Sequence, residues 1–481
     1  MTFRPRKRRH VTRRDAMKFA GGCAALTNTS LLSTIFSMSA TNTVLAQTAD
    51  LTGYKAMVCL FLFGGNDSFN MLTPTTGTER ADYVTARSGL HTNGAGGLAL
   101  PDGDLHTITD SQTSRTFGVH PMMPEVKTLY DANKLSFVCN VGSLIQPTTM
   151  AQYQAQSNLP LGLFSHADLQ RHWMTSVPQS RSEVTGWAGR MADLVAGPTN
   201  SNANISMNIS LNSVNMLQTG GSTVPYVIGN NGASEVDHYN QPWTRRIIFK
   251  NLSEDAFTRS YSNLLEKTFA EVNQNSIAAA AEFNAAVSDE TAIDTYFPAS
   301  GASNLQNQLK MVAKSIAAQS DIGQNRQSFF VSHHGWDNHD ELINNQAYNL
   351  MEVSQALKSF QDAMDGIGMA DNVVLFTASD FARTLSSNGQ GSDHAWGGNQ
   401  IVMGGPVVGG QLHGTYPTSL APGNSLDLGR GRLLPTTSVD EMAAELAMWY
   451  GVANDSTLED ILPNIRNFSS ANNGLPIGFL A

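Results

Sequence analysis

The chain has 481 residues, 41% of them hydrophobic and 15% charged, with a net charge of −10. That length and apolar content suit one large α/β domain or two ordinary ones, and exclude one small domain or whole-chain disorder. The acidic balance disfavours nucleic acid and anionic membrane surfaces as partners, and repels a polyanionic substrate unless the site itself carries cations.

Residues 1–46 read as an export signal rather than as part of the fold. "RPRKRRHVTRRDAMKF" is strongly basic, an uncharged stretch runs from Phe19 to Ala46, and Val44-Leu45-Ala46 places small residues where a signal peptidase cuts. Thr12-Arg13-Arg14-Asp15-Ala16-Met17-Lys18 resembles a twin-arginine signal, which exports folded proteins. The expectation is a periplasmic or secreted protein with no membrane anchor after cleavage. This segment holds eight Lys or Arg and one Asp, so the remainder carries 22 basic and 39 acidic side chains, a net charge of −17.

The mature chain, residues 47–481, reads as a single domain. Residues 56–63 are continuously apolar and stop at Gly64-Gly65, the pattern of a central strand buried on both faces. Residues 121–133 carry Met122, Val126, Leu129 and Tyr130 at helical spacing, and residues 135–141 form a second buried strand. Cys59 and Cys139 lie inside such runs and read as buried thiols; their pairing stays open. Residues 165–175 form a short helix. The Asn-, Ser- and Gly-rich stretch 198–235 reads as a loop or small β excursion, an insertion. Helical spacing with two breaks follows over 253–320, then a strand at 328–332, a helix at 341–364, a strand at 373–376 and a helix at 440–450. This alternation indicates an α/β fold, a central mostly parallel sheet flanked by helices on both faces, with its chemistry at the carboxyl ends of the strands.

Ionisable groups collect after those strands: Asn66, Asp67 and Ser68; Ser165, His166 and His172; His333, His334, Asp337, Asn338 and His339; Asp380, Arg383, Asp393 and His394. Asp and His gathered at one sheet edge supply the oxygen and imidazole nitrogen that a divalent cation needs. Ser165, with Asp168 three residues on, reads both as a helix N-cap and as a hydroxyl where backbone N–H groups favour bound phosphate or sulfate. Trp187 and Arg190 read as packing and a structural ion pair.

These residues resemble the alkaline phosphatase and sulfatase superfamily. More closely, they resemble the exported bacterial family named domain of unknown function fifteen-oh-one. The likeness rests on Gly64-Gly65-Asn66-Asp67 with Asn70, Gly118 to Pro121, Ser165-His166, Gly186 to Arg190, Asp337 to His339, Asp380 to Thr384, Asp393-His394 and the carboxyl-terminal Gly404-Gly405, Gly409-Gly410 and Pro435 to Thr437. It implies an alkaline-phosphatase-like sandwich in which two cations about 4 Å apart flank a nucleophile. By that resemblance, Asp337, His339 and His394 hold one metal. Asp380 and Asp67, or Asn66, contribute to the other. Ser165 is the nucleophile, Arg383 clamps the anion, and Asn66, His166 and Asp393 contact substrate. The metal is zinc, calcium or manganese. The implied substrate is an anionic ester or a glycan. Phe381 follows Asp380 where catalytic members of the phosphatase branch carry His, so a single-metal or metal-free site remains open. The rival reading is a non-catalytic secreted protein that binds a glycan or an envelope partner.

Overall fold

β1 (Lys55–Phe63) is buried along nearly its whole length, and that burial explains its sequence. Val58, Leu60 and Leu62 enter one core while Met57, Cys59 and Phe61 enter another. With apolar packing on both faces the strand carries no alternation of polar residues. The structure, a computed structural model, describes residues 51–92, 94–235, 243–468 and 477–481. The export signal expected at residues 1–46 lies outside them.

Nine more strands complete a ten-stranded sheet: β2 (Leu135–Gly142), β3 (Asn208–Ser210), β4 (Tyr226–Gly229), β5 (Gly232–Ala233), β6 (Arg326–His334), β7 (Val373–Ser379), β8 (Gly398–Gly404), β9 (Leu412–Gly414) and β10 (Thr437–Ser438). Their order is β5-β4-β3-β6-β1-β7-β8-β2-β9, with β10 beside β2. Only β5 and β8 run against the rest, so the sheet is mostly parallel. The stretch 198–235 supplies three of these strands and forms one edge of the sheet. β7 continues past its apolar run because Thr377 and Ser379 still pair with Leu60 and Leu62 of β1, which leaves Asp380 directly at the strand end.

The main helices are α1 (Pro124–Asp131), α2 (His166–Thr175), α3 (Trp187–Thr199), α4 (Thr244–Thr258), α5 (Leu264–Asp289), α6 (Asn304–Ala317), α7 (Leu342–Gly366) and α8 (Val439–Tyr450). α1, α5, α6 and α7 bury Val126, Phe283, Leu309 and Leu350 against the first face. α2, α3 and α8 bury Trp173, Trp187 and Leu446 against the second. Among the described residues no helix is long and apolar enough to cross a membrane.

Cys59 and Cys139 are buried and unpaired, and burial pushes both thiols up. Arg190 does not form the expected ion pair. Its guanidinium donates to the carbonyls of Thr175, Thr185 and Ile461 at 2.6 to 3.0 Å, tying α3 to the end of α2. A buried acid sits in the first turn of α8: burial raises the Asp440 carboxyl from 3.8 to about 7. The folded chain therefore keeps a proton that the unfolded chain has released, so stability is full below the unfolded value and falls as pH rises through the interval up to about 7. Asp440→Asn is expected to remove this slope, a gain on the order of 4 kcal/mol above about pH 8 that vanishes at acid pH. Urea midpoints of both proteins across that range read it directly; parallel pH profiles would refute it.

Candidate metal centre

The carboxyl ends of β1, β6 and β7 and the amino end of the reversed β8 lie on one edge of the sheet. Two glycines let their loops close on one another. Gly64 has φ +121°, and a Cβ there would stand 2.5 Å from the Asp337 nitrogen; at Gly65, φ +87°, it would stand 2.4 Å from the Phe381 ring. Ser379 then pins the first loop to the third, its hydroxyl donating to the Leu62 carbonyl at 2.8 Å and accepting from the Asn66 nitrogen at 2.9 Å.

Four side chains converge where these loops meet. His166 comes from the first turn of α2, Asp337 and His339 follow β6, and His394 ends the short hairpin formed by Arg383–Ser387 and Ser392–His394. Asp337 Oδ1 lies 3.0 Å from His339 Nε2 and 3.3 Å from His394 Nε2, and the two nitrogens are 3.1 Å apart. Asp337 Oδ2 lies 3.4 Å from His166 Nε2. Ligand atoms of His166, Asp337 and His394 all fall within 4.8 Å of one another.

The outer ring nitrogens set the protonation of the inner ones. His166 Nδ1 donates to Asp380 at 2.6 Å, His339 Nδ1 to Asp393 at 3.1 Å and His394 Nδ1 to the Phe164 carbonyl at 2.7 Å. Carboxylate and carbonyl oxygens only accept, so each neutral imidazole carries its proton on Nδ1 and presents an Nε2 lone pair inward. Two lone pairs 3.1 Å apart beside a carboxylate oxygen repel unless one ring takes a second proton or a cation lies among them. Donor atoms at these separations match one ion with bonds of about 2.0–2.2 Å. The residues therefore fit a divalent metal. A donor set rich in imidazole suits zinc over calcium, which takes about six to eight oxygens.

The comparisons with known proteins agree with the resemblance on its nearer branch. The family model described as "Protein of unknown function (DUF1501)" matches residues 54–452. The chain belongs to this family. No curated protein matches it. Among solved structures it is similar to Ps i-CgsB in complex with k-i-k-neocarrahexaose, at 9% identity and a TM-score of 0.34 over 86% of this chain and 77% of that one. It is also similar to the lipoteichoic acid synthase LtaP from Listeria monocytogenes, at 9% identity and 0.34 over 88% and 80%. A third is the soluble domain of lipooligosaccharide phosphoethanolamine transferase A from Neisseria meningitidis, at 9% and 0.33 over 87% and 95%.

In this DUF1501 protein the expected residues divide by position. Asp337, His339 and His394 stand together, and His166, expected at the substrate, joins them. Asp380 stands behind: it is fully buried, and its Oδ2 accepts from His166 and from Gln170 at 2.8 Å. Arg383 was expected to clamp an anion, but its side chain is fully buried. Nη1 holds Asp337 Oδ1 at 2.6 Å, and its other donors reach Gly64 and Ser392, so it orients the carboxylate instead. Asp393 braces His339 and pairs with Arg430. Asn66 is turned inward toward Met71 and Gln346, and Asp67 forms a buried ion pair with Arg87, so neither faces the ligand group. Ser165 caps α2, accepting from the Asp168 nitrogen at 3.5 Å. His172 and His333 are buried and bonded to Ser143 and Glu352. Phe381 packs under His166 and His394, with ring centroids at 4.8 and 4.5 Å.

Charge follows from these contacts. The Asp380 bond, opposed by burial, raises His166, whereas burial lowers His394. Burial also works to raise Asp337, but Arg383 and the facing imidazoles outweigh it and hold the carboxyl below its usual range. Two contributors were missed in the sequence. Gln170, one helical turn after His166, was readable by its spacing. The Phe164 carbonyl has no side-chain signal, since it is aimed by a backbone at φ +70°.

Proposed function

We propose that this sheet edge binds one divalent cation and that the protein hydrolyses phosphate or sulfate esters in the periplasm or outside the cell, after twin-arginine export. His166, Asp337, His339 and His394 are the ligands. The observation that carries the proposal is the inward convergence of three Nε2 lone pairs on one carboxylate, each imidazole braced from outside. Such bracing by outer acceptors is how metal-bound histidines are fixed. A divalent cation there would supply Lewis acidity toward an anionic ester. It would also offset the repulsion between such an ester and an exported chain of net charge −17. The reaction class is supported by the resemblance to phosphatases and sulfatases in residues 64–67, 337–339 and 380–384.

The chain's own residues prepare the site. Arg383 locks Asp337, Asp380 and Gln170 lock His166, and Asp393 locks His339. Ser165, next in sequence to His166, is the candidate nucleophile. Its oxygen accepts from the Asp168 nitrogen, and its hydroxyl also helps to hold the Asp168 carboxyl below its usual range. A second reading, a glycan- or partner-binding protein with a structural metal, is favoured by one observation: the Arg383 side chain is fully buried and four of its five N–H donors are bonded inside the fold. Ser165→Ala separates the readings. Turnover of aryl phosphates and sulfates by metal-loaded protein is expected to fall at least about a thousandfold. Metal is expected to stay bound, and stability to drop by only about 1 kcal/mol for the lost cap. Undiminished turnover removes Ser165 from the mechanism, and a metal-loaded wild type inert to every aryl ester overturns the hydrolase in favour of the binding protein.

A further inference from the structure

On the basis of the one-cation centre proposed above, we infer that His339 is a displaceable ligand, a side chain that turns out of the centre to admit the anionic group of the substrate. A structural zinc site fills all four positions from the protein, whereas a catalytic one keeps a position open. His166, Asp337, His339 and His394 together fill four, so an anion enters at four-coordinate zinc only in place of one of them. Geometry ranks the candidates. The donor atoms of His166, Asp337 and His394 all lie within 4.8 Å of one another, and His339 joins them from the side, 3.0 Å from Asp337 Oδ1 and 3.1 Å from His394 Nε2.

His339 is also the least enclosed imidazole, its side chain 45% exposed against 32% for His166 and 24% for His394. Phe381 packs under the rings of His166 and His394, but among the described residues the His339 ring meets only that of His394. Asp337 is as exposed, yet the buried Arg383 anchors it at 2.6 Å. The outer acceptors follow the same order. Asp380, which holds His166, is fully buried, and a backbone carbonyl holds His394. His339 is held by Asp393, a partly exposed carboxylate shared with Asn388 and Arg430. Its backbone is pinned all the same: Asn388 Nδ2 donates to the His339 carbonyl at 3.0 Å, and a Cβ on Gly391 would stand 2.4 Å from the His339 carbonyl carbon. The opening is therefore the rotation of one side chain on a fixed backbone, with the other three ligands left in place.

Metal and anion binding by full-chain variants separate a displaceable ligand from a fixed one. Zinc loading of the wild type comes first: a chain that takes up no zinc overturns the centre itself and the displacement with it. His339→Ala is expected to lower zinc affinity by no more than about tenfold, the cost of losing an outer contact, against at least about a hundredfold for His394→Ala. With cobalt in place of zinc, the visible spectrum reports the donors around the ion. Inorganic phosphate is expected to shift that spectrum in both the wild type and His339→Ala, at a concentration at least about tenfold lower in the variant, which has no imidazole to move aside first. Zinc lost from His339→Ala as completely as from His394→Ala makes His339 a fixed ligand of a closed site and overturns the displacement alone. Phosphate bound with equal affinity by both proteins, or by neither, overturns it as well.

Discussion

His394→Ala is expected to weaken metal binding at least about a hundredfold, so that protein purified without chelator loses a near-stoichiometric metal. The reasoning starts from outer contacts, whose removal alone costs about 10–100-fold in affinity at metal sites. His394 is placed inside that layer, its Nε2 being 3.1 Å from His339 Nε2 and 3.3 Å from Asp337 Oδ1. Removing it deletes a donor and frees the Phe164 carbonyl, which loses its 2.7 Å partner but stays next to a partly exposed position that water can enter. The fold should survive. Asp380→Asn is the companion experiment: it keeps an acceptor for His166 Nδ1 and removes only the charge, so its effect should be the smaller. Elemental mass spectrometry on both variants reads the order. Metal retained by His394→Ala would dissolve the proposed centre, and Asp380→Asn stripping the metal as completely would make Asp380 a ligand.

Asp67→Asn is expected to destabilise the fold by about 3–5 kcal/mol while leaving metal content per folded chain unchanged. Asp67 and Arg87 are both almost wholly buried, and their ion pair supplies the guanidinium's counter-charge. Arg87 otherwise reaches the Thr384 carbonyl at 3.3 Å and lies over the Tyr83 ring. Deleting the carboxylate strands a cation in the interior, whereas replacing both partners with apolar residues of similar size removes the stranded charge. Asp67→Leu with Arg87→Leu should therefore recover most of the loss. Urea unfolding with metal analysis of the folded fraction decides the matter: lost metal without lost stability would make Asp67 a ligand.

These two residues show how far the sequence could be read. His394 and Asp67 both follow apolar strands that end at one edge, so their type and address in the fold were legible. Which way each side chain turns was not. Asp67 lies one peptide beyond Asn66, whose backbone is pinned by Ser379, and that geometry swings its carboxylate toward Arg87, a residue with no marking in the sequence pattern. The same applies to Arg383, read as an open anion clamp and found holding Asp337.

Hydrophobic periodicity by itself determined the long buried strands at 56–63, 135–141, 328–332 and 373–376 and most of the flanking helices, because burial of apolar surface is a local pattern repeated along each element; the short edge strands and Gly398–Gly404 carry no such run. Motif order likewise placed the chain in its family. Only tertiary structure decided which side chains form the candidate ligand group, because that depends on ångström-scale distances between loops far apart in sequence. A carbonyl at Phe164, two glycines that let backbones touch and a buried arginine settle which lone pairs face inward.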